Sequence, residues 1–211
     1  MEWIKDGKFM HGIKDGKLII KVQSTGEEFS IPVSKDTDKV INVFWRKTGM
    51  EGLFHLAALK KWGREYFTFF RTFYSRAAKQ LAKEFMKAKG LKEGEATART
   101  FFELALPQLE LEGFFLLPEE KLEVIELSDK KVHVRVWGCP LYEAWKRAGI
   151  KDDECLELCK LQCLSSKDIG SELENWDEAF ARVLNPKLQY RVYKCLPQGS
   201  EYCEIVQEII E

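Results

Sequence analysis

All six cysteines of this 211-residue chain lie between Cys139 and Cys203, and nothing before Cys139 carries a thiol. Any fold must find a place for these sulfurs, because a thiol in a protein is buried as a small apolar group, oxidised to a pair, or held by a metal. The last of the stretch, Tyr190 to Cys203, reads as strand, turn, strand. A turn centred on Gly199 sets Cys195 opposite Cys203, and residues paired on one face of a hairpin have Cβ atoms about 5 Å apart. Upstream, Cys155, Cys159 and Cys163 recur every four residues in a segment that reads as helix, so they share a face. With Cys139 just before Pro140, the C-terminal half is expected to gather three or four sulfurs in one place.

Charge narrows the partners. Lys plus Arg (33) and Asp plus Glu (34) nearly cancel, which removes a general electrostatic case for nucleic acid or acidic membranes. At 45 % apolar the chain can bury one core, or one domain with an appendage. No apolar run approaches the roughly 18 residues of a membrane span, and Met1 to Asp6 lacks the apolar stretch of a signal peptide. A cytoplasmic protein is the expectation, and a reducing compartment favours ligating, reactive or buried thiols over disulfides. Many Lys and Glu beside few Asn also suit a heat-adapted source, where intracellular disulfides do occur.

Read in order, residues 1–34 form a small β-meander appended to a domain over 40–211. Lys5-Asp6-Gly7-Lys8 and Lys14-Asp15-Gly16-Lys17 supply the Asp-Gly pairs of tight hairpin turns, and Leu18–Val22 and Phe29–Val33 supply strands. Val40–Trp45 is a short strand or helix, and from Gly52 to about Gly90 the period is helical with a joint at Trp62-Gly63. The long helix carries Tyr66, Phe67, Phe69, Phe70, Phe73 and Tyr74. These either fill the core or wall a pocket for a flat or oily molecule. Tyr66, Phe67, Phe70, Phe73 and Tyr74 are accordingly ligand-binding candidates, with Trp137. Its basic stripe, Arg76, Lys79, Lys83 and Lys87, reads first as a solvated face.

A third helix is predicted over Glu95–Leu111, ended or kinked by Pro107. Leu122–Leu127 and Val132–Trp137 alternate apolar with polar across a turn, an antiparallel hairpin with His133 on its polar face. Helices follow at Leu141–Ala148, through the cysteine stripe behind Asp152-Asp153, and at Asp168–Leu184, before the last hairpin. Helices between hairpins predict an α+β fold, an antiparallel sheet packed against a helical layer.

Thiolates bind zinc in tetrahedral sets of four, and also iron–sulfur clusters and cuprous ion. Cys195 and Cys203 offer two ligands and Cys159 a third, with Cys155 or Cys163 one turn either way. Cys139 or a carboxylate such as Glu154, Glu157 or Asp168 would complete the set. Buried unligated thiols and a Cys195–Cys203 disulfide are the alternatives. For hydrolysis a metal with an open position needs an acid or base, and Asp168, Glu172 and His133 are candidates. Cys155 is a poor nucleophile, because the acidic Asp152-Asp153-Glu154 flank raises its pKa.

Gly138-Cys139-Pro140-Leu141-Tyr142-Glu143-Ala144-Trp145, Asn185-Pro186 and Leu196-Pro197-Gln198-Gly199-Ser200-Glu201-Tyr202-Cys203 together give a Cys-Pro helix, a Cys-bearing helix, an Asn-Pro break and a last hairpin. This order resembles the L-2-amino-thiazoline-4-carboxylic acid hydrolase-like family, itself similar to the 4-vinyl reductase ligand-binding domains. Trp62-Gly63-Arg64-Glu65-Tyr66 looks like the Leu-Gly helix opening of those domains, and the likeness covers roughly residues 50 to 211. The resemblance implies a small organic molecule held between the long helix and the sheet. It also implies a thiolate zinc site near the final hairpin, made by a helix cysteine and two hairpin cysteines spaced as Cys195 and Cys203. Val192 stands where phenol sensors built on that domain place a glutamate ligand, so Cys139, Cys155 or Cys163 would replace it or mark an iron–sulfur site.

The resulting expectation is a small-molecule-binding domain with zinc or an iron–sulfur cluster, hydrolysing a small C–N or C–S substrate. Its alternative is a non-catalytic sensor or metal carrier. A small organic molecule is the expected partner, nucleic acid and membrane are not, and a homodimer is compatible with the sequence.

Overall fold

The computed structural model describes residues 37–103 and 121–210, together with 4–6, 9–14, 17–22, 26 and 28–32. At the N-terminus β1 (Ile4–Asp6), β2 (Phe9–Lys14), β3 (Lys17–Val22) and β4 (Glu28–Pro32) form an antiparallel meander in chain order. Lys14 pairs with Lys17, which leaves a two-residue connection, the length an Asp-Gly pair favours. Gly7, Asp15 and Gly16 themselves lie outside the described residues.

Two long helices follow, α1 (Thr37–Trp62) and α2 (Arg64–Lys89), broken at Gly63 with φ 53°. The joint at Trp62-Gly63 is where the sequence places it, but α1 runs unbroken from Thr37 rather than from Gly52. The reason is that Gly49 and Gly52 are approach points and not breaks. A Cβ on Gly49 would stand 2.9 Å from the Ala148 Cβ, and one on Gly52 would stand 2.6 Å from Trp145 Cδ1. Glycine lets α1 lie against α4 (Pro140–Arg147) at backbone distance.

Residues 98–103 are helical and form α3 as far as it is described; the rest of the helix expected to Leu111, with Pro107, lies outside the described residues. α5 (Asp152–Gln162) carries the cysteine stripe, and α6 (Trp176–Leu184) begins later than the predicted Asp168. Residues 163–175 are instead pinned by side chains. Asp168 Oδ2 accepts from the Ser165 hydroxyl at 2.6 Å, and Asn175 Oδ1 accepts from the Glu178 amide at 2.8 Å to cap α6.

The C-terminal sheet contains β5 (Lys121–Leu127), β6 (Lys131–Trp137), β7 (Leu188–Lys194) and β8 (Cys203–Ile209), all antiparallel in the order β5-β6-β8-β7. Val132, Val134 and Val136 of β6 point to the helices, as do Tyr190 and Val192 of β7. β5 departs from the simple alternation its sequence suggests. A bulge between Val124 and Glu126 turns both Val124 and Leu127 inward and leaves Ile125 41 % exposed. The domain is therefore α+β, with a four-stranded antiparallel sheet packed against helices.

One buried ionic network ties the helical layer together. The Arg71 side chain of α2 is fully buried; its Nη1 donates to the carbonyls of Lys160 (2.6 Å) and Leu164 (3.1 Å), and its Nη2 lies 3.6 Å from Glu178 Oε2. Glu178 in turn accepts from the Ser166 amide (2.6 Å), the Ser166 hydroxyl (2.7 Å) and the Asn175 amide (3.1 Å). Breaking a buried pair by removing one partner leaves an uncompensated charge. Arg71→Met should therefore lower unfolding stability by about 3–5 kcal/mol in urea titrations, and a loss below about 1 kcal/mol would show that the network does not anchor the layer.

Candidate functional site

Between the inner face of β6-β8-β7 and the helices lies a cavity of about 540 Å³. Phe73 and Tyr74 of α2, Phe101 and Phe102 of α3, Val134 and Val136 of β6, Leu141 of α4 and Trp176 of α6 line it. Tyr190, Val192, Ile205 and Gln207 contribute from the sheet, and Gln162 and Asp177 from the helices. Phe73 is 60 % exposed and marks its open side. Tyr74 meets Trp176 edge to face at 5.7 Å, so the aromatic wall is itself packed.

One wall is sulfur. Cys139, Cys159, Cys163, Cys195 and Cys203 all line this cavity, and all are free thiols. Each is brought by a different local device. Cys139 directly precedes α4, Cys159 lies inside α5, and Cys163 caps the end of α5. On the hairpin, strict alternation from Tyr190 and Val192 would turn Cys195 outward. A register shift between Val192 and Lys194 prevents this, leaving Tyr193 54 % exposed and Cys195 buried. Lys194 pairs with Glu204, and continuing that register brings Cys195 to Cys203. Leu196–Gln198 form a 3₁₀ turn and Gly199, at φ 83°, closes the hairpin. The Leu196 amide donates to Cys203 Sγ at 3.4 Å.

The thiols interact as a row, Cys163 with Cys159, Cys159 with Cys195, Cys195 with Cys203, and Cys203 with Cys139. Hydrogen bonds from Cys159 and then Cys203 lower the Cys195 pKa to about 5, so Cys195 carries the charge. Its neighbours keep their protons. Donation to Cys203, with burial, raises Cys139, and donation to Cys163 and Cys195, with burial, raises Cys159. For Cys203 the bond from Cys139 acts downward, but its own bond to Cys195 and burial carry it up to about 12. Among the described residues no three His, Cys, Asp or Glu donors already stand around a common metal position. Thiols are donors of the kind a soft or borderline ion takes, but to become a ligand set these would have to shed protons and also close up around one shared position.

Other residues singled out in the sequence fall elsewhere. Cys155, also on α5, is buried beneath α4 with Sγ 3.9 Å from the Ile150 carbonyl, and burial first, then its acidic neighbours, push it up to about 11. Of the aromatic candidates, Phe73 and Tyr74 reach the cavity, while Phe70 stacks behind Tyr74 at 4.1 Å. Tyr66 turns to α1, its hydroxyl 2.6 Å from His55 Nδ1, and Phe67 lies beneath the Arg71 guanidinium. Trp137 packs on Tyr202 on the sheet's other face, one step out of phase with Val136. That face also holds His133, 2.9 Å from Glu204. Asp168 binds Arg191 at 2.6 Å and the Val192 amide at 2.9 Å, a structural staple, and Glu172 is exposed. None of the three proposed acid–base residues lines the cavity. Gln207 and Tyr190, which do, are legible only by carrying the alternation forward along β8 from Cys203 and back along β7 from Val192.

No family model matches the chain, and no curated protein matches it. Four solved chains match; among them is the crystal structure of the phenol-responsive sensory domain of the transcription activator PoxR with phenol. That likeness spans 96 % of this chain and 85 % of the other at 12 % identity, with a TM-score of 0.45. Among the described residues no helix is long and apolar enough to cross a membrane.

The charge state of the row is measurable. A Cys pKa lowered from about 8.5 stabilises the fold above that value, and the contribution is lost as pH falls through about 5. Metal-free protein should therefore show thiolate ultraviolet absorbance at pH 7 that disappears as pH falls through about 5, and Cys195→Ala should abolish it. Absorbance arising only above pH 8 would show that the row holds no thiolate.

Proposed function

We propose that this chain is a small-molecule-binding domain whose apolar cavity is walled on one side by a thiol cluster able to hold a metal. The observation that carries the reading is the coincidence of the two features, five free cysteines on the surface of one cavity of about 540 Å³. A cavity of that size and lining is of the kind that takes a small organic molecule. Cys139, Cys159, Cys195 and Cys203 would hold the metal, zinc or an iron–sulfur cluster, with Cys163 beside them. A bound metal would supply a Lewis-acidic or redox centre at the cavity wall.

Binding is favoured over turnover. His133 and Asp168 are committed elsewhere and Glu172 is exposed away from the cavity, so the hydrolase reading would have to use Asp177, the carboxylate among the described lining residues. The family resemblance in the Cys-Pro helix and final hairpin fits the same reading. A sensor or carrier in which occupancy of the cavity alters the metal wall requires no further catalytic group.

Metal-free protein titrated with zinc at pH 7 should take up one equivalent and release protons, because Cys139, Cys159 and Cys203 begin protonated. Elemental analysis of anaerobically purified protein separates colourless zinc from an iron–sulfur cluster with visible absorbance. Cys203→Ser should lose the metal and lower the thermal midpoint; unchanged metal content would remove Cys203 from the ligand set.

A further inference from the structure

The cavity has one polar feature that the thiols do not explain. Gln207 is 7 % exposed, its Oε1 is buried without a hydrogen-bond partner, and it lines the cavity. It sits at the centre of β8, paired with Val132 on β6 and Tyr190 on β7, so its side chain enters from the middle of the sheet floor. A buried acceptor left unmade is costly, and such groups in folded proteins are rare enough to require an explanation. Gln207 itself borders space that a guest can fill.

Size and charge define the guest further. A cavity of about 150 Å³ accepts benzene, and this one is about 540 Å³, so a single ring would leave most of it empty. The described lining holds no Lys, Arg or His and includes the carboxylate of Asp177, which disfavours anions. We propose that the cavity selects a neutral, largely apolar molecule of two or more fused rings, or equal bulk, that donates a hydrogen bond to Gln207 Oε1. Gln207 is thus the specificity-determining residue. This inference rests on the ligand-binding reading above.

Indole and indene test it, since they share a shape and differ in one N–H donor. Affinities of both are measured by calorimetry on the full-length chain and on Gln207→Met, which keeps the side-chain length and removes the amide. The indole-to-indene affinity ratio should fall roughly tenfold from wild type to Gln207→Met, the worth of one buried hydrogen bond. On the wild-type protein alone, the N–H of bound ¹⁵N-indole should be protected from solvent exchange and show a nuclear Overhauser contact to the Gln207 side chain. An unchanged ratio, a freely exchanging N–H, or preference for the acceptor 1-indanone over indole would overturn the assignment of Gln207 while leaving the cavity a binding site. Failure of indole, indene and 1-indanone all to bind would overturn the ligand-binding reading and this inference with it.

Discussion

The arrangement depends on the buried guanidinium of Arg71. Helix α5 ends in the interior, and the last carbonyls of a helix have no partners of their own. Arg71 donates to two carbonyls at that end, Lys160 and Leu164, while Glu178 balances its charge and collects the amides of Ser166 and Asn175. A chain turn that would otherwise carry unsatisfied backbone groups into the core is thereby made tolerable. The same contacts set the position of α5 against α2 and α6, and so place Cys159 and Cys163 on the cavity wall.

The thiol row is assembled from separate elements, and its chemistry belongs to the row. Cys195 is acidic because Cys159 and Cys203 donate to it, and those two are held protonated by the same bonds. One charge distributed in this way is tolerable beside an apolar cavity, whereas several adjacent thiolates would repel one another without a cation. The sulfur wall is part of the lining of the cavity, and the proposed link between ligand and metal rests on that shared surface.

The two faces of the C-terminal sheet divide the work. Toward the helices are valines, Tyr190, Gln207 and Cys203; away from them, His133 and Arg135 meet Glu204, and Trp137 packs on Tyr202. This division explains which candidates reach the site. Alternation along β6 already put His133 on the polar side, and the same rule places Trp137 there with it. The aromatic run of α2 was visible, but a helix of 3.6 residues per turn sends its side chains in several directions. Phe73 and Tyr74 face the cavity while Tyr66 and Phe67 serve the contacts with α1 and Arg71.

The sequence by itself determined the kinds of elements, the joint at Trp62-Gly63, the α+β class and the confinement of sulfur to one half of the chain, because these follow from local periodicity, glycine and turn chemistry. It did not decide the continuity of α1 across Gly49 and Gly52, the bulges beside Ile125 and Tyr193, or the late start of α6. Those depend on what packs against each segment: Trp145 and Ala148 beside the glycines, the sheet core beneath the strands, and the Arg71–Glu178 pair beneath the loop. Only the tertiary structure set five of the six thiols on one cavity and left the side-chain oxygen of Gln207 without a hydrogen-bond partner, since a residue's neighbours across the fold are fixed by packing and not by its position in the chain.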